Sequence, residues 1–227
     1  FIFDAQKGNI GFMLDIVGLM GACGMIYGSL VAIRQKNVRK MLAYSSIAQM
    51  GYIAIGLSIG GYYGLLGSVL HIISHSFMKA GLFFAMGAVV YKYGTSDINH
   101  LGQLYRRMPK TVAVIVIGAL SMIGIPPTAG FFSKWYLALG ACISGKYIYV
   151  AVLVISSLLN AVYFFRLIEK IFMEKEMTAE NLHPEGRGEL PMSMMLPVIL
   201  CGIGVIAIGL VNTQLVGIIG QAIQGVM

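Results

Sequence analysis

Leu70-His71-Ile72-Ile73-Ser74-His75-Ser76-Phe77-Met78-Lys79 sets three titratable side chains, His71, His75 and Lys79, at four-residue intervals in a run otherwise apolar enough to cross a membrane. One helical turn separates neighbours, so the three share a face and rise by roughly 6 Å at each step. An ionisable group at bilayer depth costs about 2.5–3.5 kcal/mol even on the lenient insertion scale, so three in a row predict a protein-lined or watery interior. The pattern is that of a pathway for charge.

The rest of the chain agrees with a membrane setting. It is 58% hydrophobic and 11% charged, with a mean hydropathy of +0.82 over 227 residues, which excludes an ordinary soluble domain. The 29 glycines suit transmembrane helices, whose close approach depends on small residues. Cys23, Cys142 and Cys201 lack the paired spacing of a zinc or iron–sulfur site and are expected to be small buried hydrophobes. The formal charge of +7 reports membrane topology more simply than it reports nucleic acid.

Apolar runs of bilayer length, about 20 residues, fall at roughly 10–33, 41–59, 62–91, 111–142, 147–172 and 191–211. The fold class is therefore all-α, a polytopic transmembrane bundle of about six spans. Residues 1–172 form the main helical unit, 173–190 a polar cytoplasmic loop rich in glutamate, and 191–227 a last span with a tail. That tail has apolar residues at Leu215, Ile218, Ile219, Ala222 and Val226, which is helical spacing suited to the membrane interface or a partner. Most basic residues, from Arg34 to Arg187, fall on one side of this map; only Lys7 and Lys146 fall on the other, and Lys79 and Lys134 lie inside spans. The positive-inside rule then orients the bundle as a multi-pass protein of the cell membrane, with both ends of the chain outside the cytoplasm.

The fourth run is interrupted by Gly124-Ile125-Pro126-Pro127-Thr128-Ala129-Gly130. Two adjacent prolines remove backbone donors and clash with a continuing helix, so this span is expected to be discontinuous. Broken helices occur at membrane depth where protein or a watery cavity satisfies the freed backbone groups, and such breaks often mark ion sites. Lys134 follows within about two turns, near the start of the second half-helix, where the macrodipole is positive. A lysine there is suited to exchanging a proton, whereas a simple kink with a snorkelling lysine is the plainer alternative.

Other chemistries fit less well. His71 and His75 stand on one helix and cannot clamp both faces of a haem iron, and His100 and His183 fall in loops. Zinc needs more ligands than this face offers, so no metal and no cofactor is expected. No acid lies near the middle of a span, so charged forms of Lys79 or Lys134 would take their partners from another subunit, further chain or water. Arg39 and Lys40 stand where a helix enters the membrane, and Tyr44, Ser45 and Ser46 add hydroxyls just inside, suited to a water file or to packing. No nucleophile, nucleotide loop or redox ligand set is visible, which points away from catalysis by this chain itself.

Three strings, Arg34 to Gly51, the His71-His75-Lys79 helix, and Gly124-Ile125-Pro126-Pro127 with Gly130-Phe131-Phe132-Ser133-Lys134, together resemble the second half of the antiporter-like subunits shared by respiratory complex I, Mrp-type cation/proton antiporters and membrane-bound hydrogenases. The likeness runs from about residue 10 to residue 172. It implies a half-channel built from a five-helix repeat with one discontinuous helix. His71, His75 and Lys79 match the family's central polar axis, Lys134 the proton-exchanging lysine of the broken helix, and Arg39 with Lys40 the basic pair at the helix entrance. Phe132-Ser133-Lys134-Trp135 leans toward the Mrp and hydrogenase branches. The family's preceding inverted repeat has no match in residues 1–227, so a fragment or a split subunit is expected.

The resulting expectation is a proton-translocating subunit, with sodium exchange as a variant, working beside other antiporter-like and small membrane subunits and driven by peripheral redox subunits. Its rivals are a stand-alone solute transporter, a non-pumping membrane anchor of an oxidoreductase, and a haem-bearing subunit.

Overall fold

A computed structural model describes residues 9–173 and 188–225. The expected polar loop after Met173 and the tail position Val226 lie largely or wholly outside the described residues. Elsewhere the chain is an α-helical bundle: α1 (Asn9–Arg34), α2 (Val38–Ile59), α3 (Gly61–Tyr93), a short α4 (Leu104–Arg107), α5 (Pro109–Ile123), α6 (Ala129–Ile143), α7 (Tyr147–Met173), α8 (Met192–Leu210) and α9 (Asn212–Gln224). Five of them, α1, α2, α3, α7 and α8, are long and apolar enough to span a bilayer. α5 and α6, of 15 residues each, divide the remaining, fourth apolar run between them.

Local chemistry sets the ends. Asn37 caps α2 by accepting a hydrogen bond from Lys40 N at 3.2 Å, and Gly60 and Gly61, with φ of 65° and 60°, turn the chain directly into α3. Glu189 caps α5 from far along the chain, accepting from Lys110 N at 2.5 Å and from Thr111 Oγ1 at 2.8 Å, an anion at the positive end of a helix. The loops before α2 and after α3 are stitched together by Val38 N to Ser96 O and Ile98 N to Lys36 O, both 2.8 Å. Those two loops therefore share one side of the bundle, as the basic-residue map requires. On the other side Lys146 joins Asp15 at 2.8 Å and Ser58 O at 2.8 Å, tying the α6–α7 turn to α1 and α2.

The core lies around α3, which meets α2, α5, α6, α8 and α9. Small residues let helices touch: Gly28 lies so close to α2 that a methyl group there would stand 2.9 Å from Tyr44 O and Ala48 N. α9 folds back on α3, with Leu215, Val216, Ile219 and Ile223 against Leu66 and Leu70, while Ile218 faces outward. The cysteines correct the expectation of burial. Cys23 and Cys142 are exposed and Cys201 is half-buried, because a membrane helix is apolar all round and apolar neighbours in sequence do not mark its inner face.

The break in the fourth run is real and fully accounted for. Gly124 ends α5 with φ of 98°, its N–H and that of Ile125 both reaching Leu120 O at 3.0 Å. Gly130 N donates to Ser121 Oγ at 3.1 Å, so the start of α6 is held on the last turn of α5. A Cβ at Gly130 would run into the Ser121 carbonyl, leaving no room for one. Gly130→Ala is thus expected to cost about 1–3 kcal/mol by overpacking, read as a lower Tm in detergent. Gly217→Ala, where a Cβ meets nothing within 4 Å, is the control expected to leave Tm unchanged.

Candidate functional site: a buried polar axis through the bundle

His71, His75 and Lys79 all point inward from α3 and are buried, at 0%, 9% and 7% exposure. The rings of His71 and His75 stack with centroids 6.2 Å apart, as the one-turn spacing predicts. α2 runs antiparallel to α3 and supplies the facing side. Lys79 Nζ donates to Leu42 O at 2.5 Å and to Ser45 Oγ, while the Tyr52 ring stacks on His71 at 5.1 Å. Ser45 faces Lys79 and Tyr52 faces His71, so Gln49 falls opposite His75 in the same antiparallel register. Gln49 is fully buried, and neither its amide nitrogen nor its amide oxygen has a hydrogen-bonding partner among the described residues; the same holds for Nε2 of His71 and of His75. Buried polar groups without protein partners are characteristically served by internal water, so this middle stretch is where a water file fits.

At the far end the axis reaches the broken helix. His71 Nδ1 lies 2.9 Å from Ser133 Oγ, and Ser133 in turn donates to Gly130 O at 3.1 Å. Lys134 starts on α6, but its side chain turns back across the break, since side chains on a helix lean toward its N-terminus. Its ammonium donates to Met122 O at 2.7 Å, Ile123 O at 2.9 Å and Ser157 Oγ at 3.3 Å, and lies over the Tyr52 ring 4.8 Å from its centroid. The sequence placed Lys134 at the positive end of a half-helix. The structure places its charge instead at the negative C-terminal end of α5, on carbonyls that the break has left without helical donors. Broken helix and lysine thus satisfy each other.

The two lysines are held by carbonyls, hydroxyls and aromatic faces. Among the described residues the acids lie elsewhere: Asp15 pairs with Lys146, Asp97 caps a 3₁₀ turn, Glu189 caps α5 and Glu169 is exposed. Arg39 and Lys40 are exposed on the first turn of α2 and are not drawn into the axis. They nonetheless stand two to three residues before Leu42, whose carbonyl holds Lys79, and so flank the end of the axis nearest that lysine. Of the hydroxyls picked out after them, Ser45 enters the axis; Ser46 donates to Leu42 O at 3.3 Å. Gln49, Tyr52, Ser133 and Ser157 belong to the site without having been singled out in the sequence. A glutamine four residues after Ser45 inside an apolar span was the one available signal.

This arrangement can hold, hand on and release a proton: bases at both ends, histidines between, and hydroxyls and an amide lining the path. Comparison with known proteins shows the family. Residues 1–160 match the family described as NADH:quinone oxidoreductase/Mrp antiporter, transmembrane. NADH-quinone oxidoreductase subunit N of Desulforudis audaxviator (strain MP104C) is 45% identical over 224 residues, 95% of this chain and 44% of the relative. Among solved structures, a chain of the membrane-bound sulfane sulfur reductase, an archaeal respiratory membrane complex, superposes with a TM-score of 0.79 at 31% identity, covering 94% of this chain and 43% of that one. A chain of the Mrp complex from Dietzia sp. DQ12-45-1b shares the fold, with a TM-score of 0.86 at 24% identity over 97% of this chain and 48% of that one. The chain spans less than half the length of these relatives. It belongs to the NADH:quinone oxidoreductase/Mrp antiporter transmembrane family.

Proposed function

We propose that this chain carries protons across part of a cell membrane as the second half of an antiporter-like subunit in a redox-driven respiratory complex. The observation that carries this reading is the line of polar side chains inside the bundle from Lys79 and Ser45, past Gln49, His75 and His71, to Ser133, Tyr52 and Lys134. Lys79 is the central carrier, His71 and His75 hold the water or hydrogen bonds between, and Lys134 exchanges protons with the far side. Histidine suits the middle of such a relay because its ordinary pKa lies near physiological pH.

The ion is the proton. A sodium site would want carboxylate or several carbonyl oxygens around an open centre, and here the carbonyls of the break are taken by the Lys134 ammonium. The 45% likeness to a subunit N favours a quinone-reducing complex over the hydrogenase branch suggested by Phe132 to Trp135. Partners on this reading are other antiporter-like and small membrane subunits, together with the peripheral subunits that carry out the redox reaction. The test is the ratio of protons moved to electrons transferred by the parent complex in sealed vesicles. A relay requires that ratio to fall when Lys79 or Lys134 is replaced in an intact complex; an anchor leaves it unchanged.

A further inference from the structure

Between Lys134 and the face of the bundle that carries Lys146, three helices change character in step. One turn outward from the site, Tyr52 on α2 gives way to Ile55, Lys134 on α6 to Leu137, and Ser156 and Ser157 on α7 to Leu153. We propose that the relay opens to that face through a pocket between Asp15, Ser58 and Lys146, and that a dry plug of Ile55, Leu137 and Leu153 closes this outlet off from Lys134. This rests on Lys134 being the relay's carrier at the broken helix.

The inner side of the plug is polar. Lys134 Nζ donates to Ser157 Oγ at 3.3 Å, the hydroxyls of Ser157 and Tyr52 lie 3.1 Å apart, and Ser156 Oγ is buried with no hydrogen-bonding partner among the described residues. The outer side is polar too. Ser58 Oγ and Tyr149 Oη lie 3.1 Å apart in space that Gly18 leaves open, since a Cβ there would run into both. Lys146 Nζ donates to Ser58 O and to Asp15 Oδ1, each at 2.8 Å, and these three residues line a pocket of about 220 Å³ with Gly11 and Leu14. The Asp15 side chain is 62% exposed, so the pocket meets water.

Between the two sides Ile55, Leu137 and Leu153, at 0%, 0% and 4% exposure, pack in one cluster with Met25, and Tyr52 and Tyr149 belong to the same cluster at its inner and outer ends. From Tyr52 to Ser58 the rise along α2 is roughly 9 Å. A proton hops between hydrogen-bonding groups, and aliphatic side chains offer none; hydrophobic constrictions gate membrane pores by excluding water in this way. Core packing alone calls for no buried hydroxyls at both ends of the cluster, because each is costly to bury. Release from Lys134 to the far side therefore waits on water entering between Ile55 and Leu153, which keeps the carrier from being open to both faces at once.

The test is cysteine labelling of the intact parent complex in sealed vesicles, with a charged, membrane-impermeant methanethiosulfonate added to one face at a time. The parent complex, whose Cys23 and Cys142 are exposed, supplies the background. Leu14 lines the pocket, and Leu14→Cys is expected to react from the Lys146 face at rest. Leu153→Cys is expected to react from that face about tenfold or more slowly at rest, as for a site uncovered only in a minor state, and to speed up during electron transfer. Once labelled, it is expected to lose proton translocation as far as Lys134→Arg does, because the adduct fills the outlet, while the parent complex treated alike keeps it. Ile55→Cys, from α2, gives the same reading if Leu153→Cys does not assemble. Equal rates for Leu14→Cys and Leu153→Cys at rest would show a wet route and overturn the plug. No reaction of Leu153→Cys during turnover, reaction from the opposite face, or an adduct that leaves pumping intact would overturn the outlet; with pumping still lost in Lys134→Arg, each of these leaves the relay standing. Pumping retained in Lys134→Arg would remove both.

Discussion

Lys134→Arg is expected to stop proton translocation by the parent complex while leaving the subunit folded and assembled. The argument turns on what the side chain must do beyond filling its place. In the fold, Lys134 caps the broken end of α5 by donating to Met122 O and Ile123 O. A guanidinium has donors enough for those carbonyls and keeps the charge there, so arginine serves the structural role. It cannot give up its proton in a protein, however. The relay then lacks a carrier between Ser133 and the far side, and a proton must cross that gap as an unaccompanied buried ion at a cost of several kcal/mol. Each 1.4 kcal/mol is a factor of ten in rate, so the loss is on the order of a hundredfold or more. The measurement is acidification of sealed vesicles per electron transferred, with the size of the purified complex as the control for assembly. Full pumping by the arginine variant would show that Lys134 only caps a helix.

What the sequence could and could not disclose follows from the kind of signal each residue carries. His71, His75 and Lys79 were legible because ionisable groups are costly in an apolar run, and their four-residue spacing alone aligns them on one face. The break was legible because two prolines cannot continue a helix. The direction of Lys134 was not. Its number places it in the positive first turns of α6, yet a flexible side chain of this length reaches carbonyls that belong to α5, and only the three-dimensional course of the break shows which end of which dipole it meets. Burial of the cysteines was misread for a related reason: composition reports that a helix lies in a membrane but not which side faces lipid. Gln49 was lost among residues that pack quietly in many helices. What distinguishes it is a register across two helices, Gln49 against His75, which is not a property of a single segment.

Lys79→Met is the sharper test of the centre of the axis, because the fold has little need of the ammonium. Methionine matches the length of the aliphatic stem and packs readily in apolar surroundings. Removing the ammonium leaves Leu42 O with two other donors, Ser45 Oγ at 2.9 Å and Ser46 Oγ at 3.3 Å, so no buried acceptor is orphaned. Ser45 likewise keeps its place in α2. Stability of the complex is therefore expected to be unchanged within about 1 kcal/mol, the ordinary tolerance for a volume-conserving swap. Transport is expected to fall as far as in Lys134→Arg, on the order of a hundredfold by the same reasoning, since the histidines then have no basic neighbour at the Lys79 end of the axis to exchange a proton with. Two lysines acting in series predict that combining Lys79→Met with Lys134→Arg costs no more than either alone. An anchor that merely tolerates buried lysines predicts the opposite, normal pumping in both single variants. Two parallel routes predict a third result, partial loss in each and a deeper loss in the pair. Proton-to-electron ratios from the three variants, measured at one pH in the same vesicles, separate these outcomes.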